Sequence, residues 1–155
     1  MSELHRRGDY AITTDAARMD VAAVHAYLSR SYWANGVPLA LVQRAIDHSL
    51  CFGLFHRDQQ VGFARVITDR ATFAYLADVY VLEAHRGQGL SKWLIGTVRA
   101  HADLQGLRRF MLSTRDAHGL YRQFGFKELT FPTRLMEVLD GEVYARMAAA
   151  PAQPR

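Results

Sequence analysis

Arg86-Gly87-Gln88-Gly89-Leu90-Ser91 places two glycines at alternate positions, directly ahead of a run that sets Leu90, Leu94, Val98 and Ala102 on one helical face. Glycine has no Cβ, so such a loop can turn successive backbone amides inward. The first turn of the following helix adds unpaired N–H groups that point the same way. That is a cradle for a phosphate or pyrophosphate. A Walker loop would need Gly-x-x-x-x-Gly-Lys-Ser/Thr, and a dinucleotide loop would need a third glycine where Lys92 stands. Neither pattern fits.

What fits is Arg86-x-x-Gly89-x-Ser91 after a strand ending Asp78-Val79-Tyr80-Val81, followed about thirty residues later by Ala117-x-x-x-Tyr121-x-x-x-Gly125-Phe126. The pair resembles the GNAT superfamily of N-acetyltransferases, and the resemblance extends over nearly the whole chain. Ser91 stands where the family usually has Gly or Ala. Thr114 stands where it commonly has an asparagine that contacts the cofactor or fixes the loop.

The resemblance implies acetyl-CoA as co-substrate. It would be held by the backbone of Val79, Tyr80 and Val81, by the loop residues Arg86, Gly87, Gln88, Gly89, Leu90 and Ser91, and by Thr114 and Tyr121. Tyr121 would be the general acid for the departing thiolate, since a phenol with a pKa near 10 stays protonated at neutral pH; a core tyrosine is the alternative. Asp78 would be the base for the amine or an attractor of its ammonium, or else a structural carboxylate bonded to nearby backbone. In this family the first two helices and their connecting loop wall the acceptor pocket. Tyr32 and Trp33 are therefore candidate substrate contacts, with aromatic packing under a loop as the alternative. Glu83 is weaker as a base, Asp116 and His118 flank the second motif, and Arg115 reads as an exposed charge. The implied reaction is transfer of an acetyl group to a primary amine of a small molecule or peptide. A protein or aminoacyl-tRNA acetylase and a non-catalytic acyl-CoA-binding module are the competing functions. The acceptor has no readable code in Tyr32, Trp33, Arg65 or His118.

Positioning these groups requires a particular succession of elements. Tyr10 to Thr13 reads as a first strand. Asp15 is placed to cap a helix carrying Val21, Val24, Tyr27 and Leu28, and Pro38 to start a second with Leu39, Val42 and Ile46 inward. Leu50 to Arg57, Val61 to Thr68 and Ala71 to Leu82 read as a meander of strands separated by tight polar turns. A helix from Gln88 to about Leu104 follows, then a buried parallel strand from Arg109 to Ser113 and a short helix from Ala117 to Phe124. Strands are expected at Lys127 to Thr130 and Arg134 to Val138, and a frayed tail from Ala148 to Arg155. The expected fold is α/β, a mixed and mostly antiparallel twisted sheet with helices on both faces. In the family, the fourth and fifth strands splay to form the cofactor cleft.

The 155 residues, half of them hydrophobic, suffice for a single domain spanning 1–155. No apolar run approaches the roughly 20 residues of a membrane span, and residues 1–9 are too polar for a signal peptide, so a cytoplasmic protein is expected. One cysteine, Cys51, excludes an internal disulfide and reads as a buried, inert thiol, and seven histidines without ligand spacing give no reason to expect a metal. The net charge of +4 suits a cofactor bearing several phosphates. No dense Lys/Arg block interleaved with aromatics points to nucleic acid. Dimers are common in the family, often through the segment after Phe131, so a homodimer is a further expectation.

Overall fold

In the computed structural model, which describes residues 2–150, the three runs of the meander form the centre of a six-stranded sheet. The strands β1 (Leu4–Arg7), β2 (Tyr10–Thr13), β3 (Leu50–His56), β4 (Gln59–Thr68), β5 (Phe73–Val81) and β6 (Arg109–Leu112) lie side by side in chain order. All neighbours are antiparallel except β5 and β6, which run parallel and need a crossover. That crossover carries helix α3 (Leu90–Ala100).

Alternation along β3 divides the core into two layers. Leu50, Phe52 and Leu54 meet Leu90, Leu94 and Val98 of α3. Cys51 faces the opposite way, into a layer with Val24, Leu28, Val42 and Ile46 from helices α1 (Val21–Leu28) and α2 (Leu39–Asp47). Helices therefore cover both faces, as expected. Two shorter helices, α4 (His118–Arg122) and α5 (Val143–Ala149), follow β6. Among the described residues, no helix is long and apolar enough to cross a membrane.

Burial pushes the Cys51 thiol up to about 12, outweighing the opposing pull of Arg65. The folded protein is accordingly expected to give no reaction with an aromatic disulfide reagent at mildly alkaline pH, and one thiol per chain once denatured. Labelling of the folded chain at the unfolded rate would contradict this burial.

Several local expectations are corrected. Asp15 caps a single 3-10 turn, Ala16–Arg18, and Asp20 is the cap of α1, accepting from Ala23 N–H at 3.0 Å. Leu39 lies outward, half exposed, because it occupies the first turn of α2, ahead of the inward Val42 and Ile46. The α3 helix stops at Ala100: His101 turns extended, and a separate 3-10 turn, Ala102–Leu104, leaves Ala102 exposed. β6 is an edge strand and only partly buried. β1, absent from the expectation, is exposed along its whole length, so its polar residues carry no alternation to read.

The last two expected strands do not form. Beyond α4 the chain packs by side chains instead of a ladder: Phe126 sits edge-on to Phe110 and Tyr121, and Arg99 Nε donates to Phe124 O at 3.0 Å. Residues 134–138 begin in a 3-10 turn at Pro132–Arg134, pass through an extended Leu135 and continue without regular secondary structure. Ala148 and Ala149 belong to α5, so they are not frayed, while residues 151–155 lie outside the described part.

Candidate active site

β5 is longer than its parallel neighbour. The β5–β6 ladder runs from Phe73↔Arg109 to Leu76↔Leu112 and ends there, so Ala77 to Val81 continue with no partner on the β6 side. A cavity of about 730 Å³ opens along this gap, lined by Tyr121, Thr114, Val79, Asp78, Arg65 and Trp33 among others.

The opposite edge of β5 carries a bulge. Phe63 pairs with Tyr80 and Arg65 with Ala77, so one residue of β4 faces two of β5, Asp78 and Val79. Asp78 has φ 57, a left-handed conformation that Asp tolerates better than most residues. Ordinary alternation would turn Asp78 away from the face shared by Arg65 and Ala77. The bulge instead brings its carboxylate to Arg65, whose Nε donates to Oδ2 at 2.8 Å, with both side chains largely buried. Trp33 Nε1–H donates to Oδ1 at 2.9 Å. Arg65 Nη1 reaches on to Ser49 Oγ at 3.2 Å.

Tyr32 and Trp33 meet edge to face in the loop after α1. Tyr32 Oη accepts from the Arg115 backbone N–H at 3.1 Å, and the Arg115 guanidinium lies 3.9 Å from its ring centroid. The two aromatics thus span the cavity mouth, one fastened to the β6–α4 connection and the other to β5. Both line the cavity, as do Asp116 and Arg115. Glu83 and His118 are exposed and take no part in its lining.

The glycine loop is built as its composition dictates. Gly87 and Gly89 have φ 81 and 77, and Gly89 is the N-cap of α3 with no side chain satisfying the helix's first amides. Its side chains fold back to shape it. Arg86 Nε donates to Val81 O at 2.9 Å and Nη2 to Tyr27 Oη at 3.1 Å. Gln88 Nε2 donates to Tyr10 Oη and His85 O, and Tyr10 Oη lies 2.8 Å from His85 Nδ1. Leu90 and Tyr80 are buried, leaving their backbone as the part that can meet a ligand, while Ser91 at the start of α3 is half-buried. Tyr27, stacked on Tyr80 with ring centroids 4.0 Å apart, and Tyr10 were not foreseen as supports.

Tyr121 lines the cavity from α4. Burial pushes its phenol up to about 12, with a smaller contribution from Tyr32. Among the described residues its hydroxyl has no hydrogen-bond partner, yet no side-chain oxygen is both buried and unpartnered. The hydroxyl therefore retains accessible surface. Thr114 Oγ1 accepts from Ala117 N–H at 3.1 Å, ordering the turn into α4.

Sequence reasoning named Arg65 but gave it no role, although a lone charge between Ala64 and Val66 in an apolar strand was a signal. Glu137, Leu139 and Tyr144, which reach the same cavity from the C-terminal segment, carried none.

This architecture has close relatives. Residues 47–128 match the model of the acetyltransferase (GNAT) domain, a span that holds both the glycine loop and the Tyr121 block. A Gibberella zeae protein carried under the provisional name acetyltransferase FG08082 is 36% identical, over 79% of this chain and 81% of its own length. A Xanthomonas campestris pv. campestris structure described as belonging to the GNAT family superposes with a TM-score of 0.86 at 56% identity, covering 88% of this chain and 96% of the other. The fold is also shared by a predicted acetyltransferase from Clostridium acetobutylicum solved with acetyl-CoA, with a TM-score of 0.60 at 14% identity and coverages of 90% and 96%. An unpartnered stretch of β5 beside a glycine-capped helix, together with these similarities, places the chain in the GNAT acetyltransferase family as an acyltransferase.

Proposed function

We propose that the chain transfers an acetyl group from acetyl-CoA to a primary amine of a small molecule or peptide by direct attack. The observation that carries this reading is the hydroxyl of Tyr121, without a hydrogen-bond partner among the described residues, in the cavity beside the gap where β5 outruns β6. The free amides at the start of α3 suit the pyrophosphate, and the open edge of Ala77 to Val81 suits the pantetheine arm. The Clostridium acetobutylicum fold relative solved with acetyl-CoA adds support. The neutral amine nitrogen attacks the thioester carbon, and backbone N–H groups of Val79 to Val81 stabilise the oxyanion. As the C–S bond breaks, Tyr121 Oη gives its proton to the sulfur. The amine's proton passes to Asp78 directly or through water.

The test is calorimetric titration of acetyl-CoA into the wild type and Arg86→Ala. Affinity is expected to fall about tenfold in the variant, roughly 1.4 kcal/mol, because the loop loses its tie to Val81 and Tyr27. Absence of binding by folded wild type would remove the reading.

A homodimer is proposed with it. Met136 and Val138 are 97% and 104% exposed in an irregular segment that also carries the exposed Leu135 and Leu139, more apolar surface than an isolated chain ordinarily leaves in water. Light scattering is expected to give twice the chain mass, and Met136→Ser with Val138→Ser to give the single mass. A monomeric wild type would dismiss it.

A further inference from the structure

The cavity holds one largely buried ion pair. Arg65 and Asp78, 17% and 10% exposed, line it together with Trp33, Leu41 and Tyr144, which keep accessible apolar or aromatic surface, whereas Val24, Leu28, Val42, Ile46 and Phe63 are buried in the core. The other charged residues of the lining, Arg115, Asp116 and Glu137, are exposed at the rim.

This ion pair is not saturated. Arg65 uses Nε on Asp78 and Nη1 on Ser49, and among the described residues Nη2 donates to no protein group. No side-chain nitrogen is both buried and unpartnered, so Nη2 keeps accessible surface. Asp78 accepts one bond at each oxygen, from Trp33 and from Arg65, and a carboxylate has about four lone-pair sites. A free guanidinium donor and a free carboxylate acceptor thus stand side by side, on groups 2.8 Å apart, in the cavity lining.

Those features match a molecule carrying an amine and a carboxylate on one carbon, with a hydrocarbon side chain. We propose that the acceptor is an α-amino acid with an apolar side chain, its carboxylate on Arg65 Nη2 and its amine against Asp78. A simple alkylamine would leave Nη2 facing the bound molecule with no acceptor, and an unmade hydrogen bond at a desolvated charged donor is costly. A peptide N-terminus would present a neutral amide there. The side chain would lie against Trp33, Leu41 and Tyr144, which line the cavity and keep accessible surface. This inference rests on the acetyl-transfer reading and narrows it to a substrate class.

The experiment compares kcat/KM for leucine, methionine and phenylalanine, each beside its carboxamide and its decarboxylated amine, by release of CoA. The amino acids are expected to be favoured over both analogues by about 100-fold. That preference would run against nucleophile availability for the carboxamides, whose amines are less basic and so more often neutral. Arg65→Gln is expected to reduce the preference to about tenfold or below, and Arg65→Lys, which keeps the charge but not the fork, to an intermediate value. Carboxamides or plain amines turned over as well as the amino acids would overturn the proposal while leaving acetyl transfer intact. Acetyl-CoA binding without CoA release from any of these compounds would remove this proposal, and with it acetyl transfer to apolar amines. The comparison within the wild type stands whether or not the Arg65 variants fold.

Discussion

Tyr121→Phe is expected to lower kcat about 100-fold while leaving acetyl-CoA affinity unchanged, the loss typical of a missing general acid. The substitution removes one oxygen and keeps the ring against Phe126, so packing in α4 should survive. The hydroxyl has no protein partner to abandon among the described residues, so its removal leaves no orphaned group and little change in stability. Activity and stability therefore separate in this variant, which a merely structural tyrosine would not allow. The pH profile supplies a second reading. Burial raises the phenol from 10.0 to about 12, so the acid stays protonated through pH 10 and the wild-type kcat should show no descending limb there. Stability moves differently. The unfolded phenol ionises near 10 while the folded one resists, so folding loses free energy as pH rises above 10 and stops losing it near 12. Tyr121→Phe turnover equal to wild type would exclude Tyr121 as the acid.

The parts of this molecule that were legible in sequence are those whose cause is local. The meander of β3 to β5 follows from apolar runs broken by polar turns, and the cradle follows from Gly87 and Gly89 ahead of the α3 face. What was not legible depends on partners distant in the chain. Residues 134–138 have the composition of a strand, but a strand also needs a partner, and they pair with none although β6 is the edge of the sheet among the described residues. β1 is a strand despite its charge because β2 supplies the ladder from Leu4↔Thr13 to Arg7↔Tyr10. The roles around Asp78 were hidden most deeply. Period-two reasoning puts Asp78 and Arg65 on opposite faces, and only the bulge opposite Ala64 unites them. Asp78 was legible as a carboxylate facing a cleft, whereas its bonds to Trp33 and Arg65 were not.

Those bonds give the second large expected effect. Asp78→Asn should cost about 3 kcal/mol of stability, the lower end of the range for breaking a buried pair, since Arg65 would keep its charge with only Ser49 beside it. Asn is the informative replacement because it tolerates the left-handed backbone at φ 57 and its amide oxygen can still accept from Trp33. The loss is then assigned to the ion pair and not to the bulge or the aromatic latch. Adding Arg65→Gln removes the stranded charge and lets two amides hydrogen-bond, so the double variant should recover most of the stability. A coupling of about 2 kcal/mol is expected from denaturant midpoints measured across the four proteins of the cycle. Acetyl transfer should not recover with it, because neither a carboxylate for the amine nor a cation for an acceptor carboxylate remains in the chamber. A double variant that regained both stability and turnover would show that Arg65 and Asp78 serve the fold alone.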